Sequence, residues 1–424
     1  MKMKRLMFCL AFSAIAVVSC KKKDDDSSAP ASTLAQIPSD AIQVSGDVEG
    51  TWEKGKTYAV TGPIYIQTGK SLTIQEGVTV LMDTTIKPEV IIKGNFYSLG
   101  TPANPIKFTV LDGEKTESTK FGALWGGLIA SPDCGEIVVL NTILEYGGAV
   151  VTANSASLKE GLYKNTEGER VPAIYASNVN GKIVVMNSTI RHYQEDAIYL
   201  EGGQVIIANN TFYTTGLTNG EAVNLKSGVG ADVCYNMIYS PNTNGFKLSN
   251  TGGKTQDSLF VYNNTVVNAG WRRPDIKGGS VWLEKGVFVK LANNLLANDR
   301  FGVKHDSKNP EDSRTKLMTT HYYGYTTLGV QQFQPSTDIL AGSGDIISAV
   351  AGQNDPMFVN YPLSTDVNNS TFDTSWDFHL QSGAPGLSKG VTDDMRRFPT
   401  GLTVGGQLYT APLPSSYIGA FGTH

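Results

Sequence analysis

Charge is scarce in this chain of 424 residues. Only 17% of it is Asp, Glu, Lys or Arg, and 35 basic against 39 acidic groups leave a formal net charge of -4. A nucleic-acid-binding surface concentrates Lys and Arg against phosphates, and no such excess exists here, so that class is excluded. Histidine is scarcer still. His192, His305, His321, His379 and His424 are scattered, with no pair at metal-ligand spacing, which leaves a zinc site without support. Of four cysteines, Cys9 and Cys20 belong to the N-terminal apolar run, so only Cys134 and Cys234 remain for the body. A disulfide between these two stays open. Each lies beside an apolar strand pattern, which reads as a buried free thiol. An amphipathic helix of ordinary length is missing too, which argues against a helical bundle.

What is plentiful is glycine, 45 residues, with a hydrophobic fraction of 40%. That combination suits a turn-rich all-β chain. Residues 1–5 are basic, 6–18 are apolar but too short to span a bilayer, and Cys20 follows small residues. This is the layout of an export signal. The ending Val17, Val18, Ser19, Cys20 resembles a bacterial lipobox, in which the cysteine carries the lipid. The charged stretch 21–26 resembles the one that sends Bacteroidetes lipoproteins to the outer face of the outer membrane. Residues 27–40, rich in Ser, Ala and Pro, read as a flexible tether. The expected organisation is a signal peptide over 1–19, a lipidated Cys20 with tether over 20–44, and one body over 45–424.

The body repeats. A segment of two apolar residues, a spacer, Asn and Asn or Ser, then apolar again, occurs around Asn187, Asn209, Asn236, Asn264 and Asn294. Its second Asn recurs at separations of 26 (236 − 210), 28 (264 − 236) and 30 (294 − 264) residues. A period of that size made only of strands and turns is one coil of a parallel solenoid. Stacked coils put equivalent residues about 4.8 Å apart, so a column of Asn can satisfy turn amides coil after coil, and Asn also tolerates a left-handed turn. A second strand precedes each Asn segment. Alternation sends Ile174, Ile198, Val223, Phe246, Val281 and Val303 inward. It sends Tyr175, Tyr199, Asn224, Lys247, Trp282 and Lys304 outward, in one column. A third column holds Ser177, Glu201, Lys226, Ser249, Glu284 and Asp306.

The opening coils around 52–82, the Trp125-Gly126-Gly127 stretch and the ending from Asp355 to Phe421 resemble the pectate-lyase-like β-helix surface proteins. The resemblance implies a single-stranded right-handed parallel β-helix whose last segment covers the open end. Insertions at 152–170 and 307–333 interrupt the repeat.

The outward column is the candidate site. Exposed rings in line with amides and ammoniums match the apolar faces and hydroxyls of a sugar. The loop 268–278 adds Trp271, Arg272 and Arg273. The expected ligand set is therefore Tyr175, Tyr199, Asn224, Lys226, Trp271, Arg272, Arg273, Trp282 and Lys304, and the expected partner is a polysaccharide, acidic in view of the cations. Asn244-Gly245-Phe246-Lys247-Leu248 is similar to a coil of one polysaccharide lyase family whose Lys is the base. That resemblance makes Lys247 the base for β-elimination, given a depressed pKa. It also implies calcium, for which Asp196 and Glu221 are the nearest carboxylates here, fewer than a hard cation wants. Glu195 and Asp196 also form a carboxylate pair of the kind glycosidases use. A structural or adhesive surface protein with no glycan role is the remaining reading.

Overall fold

The computed structural model describes residues 37–273, 275 and 278–424. The export signal, Cys20 and the tether up to residue 36 lie outside the described residues. No helix among the described residues is long and apolar enough to cross a membrane.

The chain winds into an all-β parallel solenoid of right-handed type with about 11 turns. The first wall is a ten-stranded parallel sheet running from Gly50–Trp52 to Lys316–Met318. A 21-stranded sheet bends round to make the second and third walls, and two antiparallel strand pairs near the end of the chain stand apart from both. Val184, Val185, Ile206 and Ile207 show why the walls form. β-Branched residues tolerate the pleat, and one of each adjacent pair enters the interior. The central core runs unbroken from Trp52 to Phe333. Fully burying each such side chain contributes roughly 1.5–3 kcal/mol.

The corner between first and second walls is built as a pair of positions. Asn141, Asn187, Asn209, Tyr235, Asn263 and Asn293 take left-handed φ between 45° and 57°. The next residue in each coil points inward and forms the ladder. Asn210 Oδ1 accepts from Ser188 N at 2.9 Å, Asn236 Oδ1 from Asn210 N at 3.0 Å, Asn264 Oδ1 from Asn236 N at 3.0 Å and Asn294 Oδ1 from Asn264 N at 3.0 Å. The two duties expected of one Asn are therefore divided between neighbours. A residue turned to the left-handed region cannot also aim its amide into the core.

Three further segments dress the coil. The 152–170 insertion lays Ala156, Leu162 and Tyr163 on the outer face of the third wall, over Ile91, Ile129 and Tyr175. Ser157 fastens it by donating from N and Oγ to Glu89 at 2.6 and 2.9 Å. Within 307–333, helix Thr327–Gln332 brings Val330 into the core with Phe333 just behind it, so this insertion plugs the downstream interior. The last segment departs from the expectation that it covers the open end. It runs back along the flanks instead. Phe358, Tyr361, Phe378 and Leu380 pack on the outside of the second wall. Met395, Leu402, Val404 and Ala411 pack on the outside of the first. The reason is apolar surface facing outward on those walls, at Tyr213, Tyr239 and Val267 and at Val184, Ile206 and Tyr262, which requires cover. Cys134 and Cys234 are both buried and free, as their strand positions suggested.

Candidate functional site: a cleft on the third wall

The third wall stacks Ile174–Ala176, Ile198–Leu200, Val223–Leu225, Asn244–Ser249, Gly279–Glu284 and Val303–His305. Their register pairs Tyr175 with Tyr199, Tyr199 with Asn224, Asn224 with Lys247, Lys247 with Trp282 and Trp282 with Lys304. The expected column thus exists, on the side opposite the central core. Its rings are not exposed as expected, however. Tyr175 and Trp282 retain only 5% and 4% of their accessible surface. At the upstream end the cause is the 152–170 insertion. Tyr163 sets its ring edge-on to Tyr175 at 5.3 Å and to Tyr199 at 5.5 Å.

Where that cover stops, a cleft of about 290 Å³ opens. It gathers Tyr199, Asn224, Lys226, Lys247, Arg273 and Trp282 with Asp196 and Glu221. The other expected residues lie elsewhere. Tyr175 is beneath Tyr163, its Oη donating to Glu201 Oε2 at 2.9 Å. Trp271 donates from Nε1 to Asn298 O at 2.6 Å. Arg272 donates to Gly216 O, Thr215 O and Ser240 O at 2.7–2.8 Å and lies over Phe121. Lys304 sits 3.7 Å from the Phe301 ring centre. A guanidinium that meets three carbonyls is anchored in the corner, so Arg272 holds the loop while Arg273 reaches the cleft. Lys164 and Asn219 also line it and were not foreseen. Lys164 comes from the insertion, where no periodicity reports orientation. Asn219 did carry a signal, an Asn-Gly turn just before a third-wall strand.

The acids occupy stacked positions. Asp196, Glu221 and Asn244 each stand two residues before the paired inward residues Ile198, Val223 and Phe246. Asp196 Oδ1 accepts from Glu221 N at 2.7 Å, and its Oδ2 accepts from Asn224 Nδ2 at 2.9 Å. Glu221 Oε1 accepts from Asn244 Nδ2 at 3.2 Å and lies 3.8 Å from Lys247 Nζ. Burial, then the charge of Glu221 beside it, raises the Asp196 carboxyl well above its usual range. Burial also pushes Glu221 up. The Asp196 hydrogen bond and the Lys247 and Lys226 ammoniums outweigh it, and Glu221 ends below its usual value, ionised. Glu195 is pushed up to about 7 by burial, against the pull of Lys164. Its Oε2, and Oδ1 of Asn224, are buried with no hydrogen-bond partner among the described residues.

The two central lysines differ. Burial and the neighbouring Lys247 charge lower Lys226. Burial lowers Lys247 as well, but Glu221 and Asp196 more than restore it, and its pKa is raised. A base needs the opposite direction, so the depressed ammonium that the lyase resemblance required belongs to Lys226. The two carboxylates named for calcium, Asp196 and Glu221, do meet in the cleft, joined through Glu221 N on Asp196 Oδ1 and flanked by Lys226 and Lys247.

Fold and cleft together are a right-handed-type parallel β-solenoid with a charged groove on its third wall. The model of the family described as the pectate-lyase like beta helix domain matches residues 44–160. No curated protein matches the chain. The matched coils precede most of the cleft, which is built from residues 164–284. The match therefore speaks for the winding, and the cleft has to be read from its own chemistry.

Proposed function

We propose that the protein binds an acidic polysaccharide in the third-wall cleft and is displayed on the outer membrane, facing the exterior, through a lipid on Cys20. The observation that carries this is the charge balance of the cleft. Lys164, Lys226, Lys247 and Arg273 converge there from separate coils and from the insertion. Opposite them stand four carboxyls, Glu195, Asp196, Glu221 and Glu284, of which burial raises Asp196 well above its usual range and Glu195 to about 7. The acid side is thus weakened, and the balance shifts toward positive inside a concavity where field lines concentrate. The unpartnered Glu195 Oε2 and Asn224 Oδ1 are acceptors that a sugar hydroxyl would satisfy, which removes a standing cost of roughly 1–3 kcal/mol each.

The test is titration calorimetry with uronic-acid polymers, alongside neutral glucans. Binding to the acidic polymers that weakens with salt and is lost in Lys247→Ala supports the proposal. No acidic polymer bound, or Lys247→Ala binding as the parent does, overturns it. Peptidase protection and fractionation of cells carrying Cys20→Ala test the anchor separately.

The two lysines favour one second reading, β-elimination. Lys247, held cationic, would neutralise the uronate carboxylate, while the neutral amine of Lys226 takes the adjacent proton. The freed C–H pair forms a carbon–carbon double bond, and the glycosidic C–O bond breaks with its pair to the leaving sugar oxygen, which takes a proton from solvent. Growth of ultraviolet absorbance from an unsaturated uronate, abolished by Lys226→Ala, is its signature. Polymer bound but never shortened leaves the protein a binding module.

A further inference from the structure

The side chains of Asp377, His379 and His424 converge away from the cleft, although no two histidines stand at metal-ligand spacing in the sequence. Asp377 and His379 alternate along the strand Asp377–Leu380, so both face outward while Phe378 and Leu380 are buried in the flank. The tail returns to this strand, with Leu380 N donating to Gly422 O at 2.8 Å and Phe421 5.0 Å from the His379 ring. That return delivers His424. Its Nε2 lies 2.6 Å from Asp377 Oδ2, and His379 Nδ1 lies 2.7 Å from Asp377 Oδ1. The two imidazoles stack at 4.0 Å. One ligand atom from each of the three residues falls within 4.8 Å of the others, the one such group of His, Cys, Asp or Glu found among the described residues.

We propose that Asp377, His379 and His424 form a binding site for a divalent transition metal ion of the zinc, nickel or cobalt kind. Two imidazole nitrogens and one carboxylate oxygen are the donor set of such ions, and calcium or magnesium would want oxygens alone. An ion at about 2.0–2.2 Å from each donor takes the place of the protons that now join the imidazoles to the carboxylate. Three protein donors leave further positions of the ion open. Asp377 and His379 also line a groove of about 370 Å³ with Tyr213, Phe372, Trp376 and Phe378, so the ion sits at the edge of an aromatic trough. A bound ion also ties the returning tail to the flanking strand and thereby stabilises it.

Zinc chloride is titrated by calorimetry into the full chain after dialysis against a chelator. Cobalt chloride replaces it for a visible absorption spectrum. One ion per chain is expected. His379→Ala and His424→Ala should each weaken binding by at least the roughly 10–100-fold that loss of even an outer partner costs. His424 is exposed, so that variant keeps the fold, which circular dichroism verifies. Absence of saturable binding overturns the proposal, as does one ion bound equally well by both variants.

Discussion

Glu195→Gln removes a buried cleft carboxyl whose ionisation falls near neutral pH. Its folded value of about 7 exceeds the 4.5 of a free side chain because the group is buried and faces Glu221. A carboxyl with a raised folded pKa makes the native state the better proton binder. The chain therefore loses stability as pH rises from about 4.5, and the loss is complete once pH exceeds about 7. At about 1.4 kcal/mol per pH unit, the gap is worth roughly 3 kcal/mol. Below about pH 4 both states are mainly protonated, and glutamine differs little from the neutral acid. Urea unfolding followed by circular dichroism at about pH 4 and about pH 8.5 reads the difference. The variant should match the parent at the acid end and be more stable, by up to about 3 kcal/mol, at the alkaline end. An equal change at both pH values, or none at the alkaline one, would refute the assignment of an ionising, desolvated carboxyl to Glu195. The same titration has a binding consequence. As pH falls through about 7 the cleft gains positive charge, so an acidic polymer should bind more tightly.

Asn264→Ala deletes side-chain bonds to Val233 O, Tyr262 O and Asn294 Oδ1 and leaves Asn236 N without its acceptor. At roughly 1 kcal/mol per net bond and more for the orphaned amide, denaturant unfolding should show a loss of about 4 kcal/mol. Arg272→Ala frees three carbonyls and releases the loop that carries Arg273, so glycan affinity should fall although Arg272 itself lies outside the cleft. Lys304→Ala, on the same column but outside the cleft, should leave binding unchanged in the same calorimetric assay. The Cys134 thiol is buried and pushed up to about 12 by that burial, so a thiol reagent should modify it only in denaturant.

The winding was legible because each coil repeats the same local problem. Strand alternation and a left-handed turn are decided within a few residues, so Ile174, Ile198, Val223 and Phe246 could be stacked by inspection, and their register is the observed one. The cleft was half legible by the same logic. Tyr199, Asn224, Lys247 and Trp282 share a column because they share a place in the coil. What failed was everything decided by chain returning from a distance. Tyr163 covers Tyr175 from an aperiodic insertion. Arg272 and its neighbour Arg273 look equivalent in sequence, yet carbonyls of another turn hold the first and leave the second at the cleft. His379 and His424 lie 45 residues apart (424 − 379), and only the tail's return beside the strand at 377–380 brings their rings together.

The position of the cleft follows from a change of composition along one column. Read from the upstream end, the column is Tyr65, Ile91, Ile129, Tyr175, Tyr199, then Asn224, Lys247, Trp282 and Lys304. Its first half is apolar and cannot stay in water cheaply, which is why the insertion lies on Ile91, Ile129 and Tyr175. Its second half starts at Asn224, beyond the apolar patch on which the insertion lies. Stacking at about 4.8 Å sets Asp196 against Glu221 on the next coil, while Lys226 and Lys247 meet across two adjacent columns. Burial and the like neighbour move one member of each pair, raising Asp196 and lowering Lys226, and its partner shifts the other way. A solenoid thus brings like charges close enough to split their pKa values, and this stretch of the wall offers both an anion-binding cation and a weakened base.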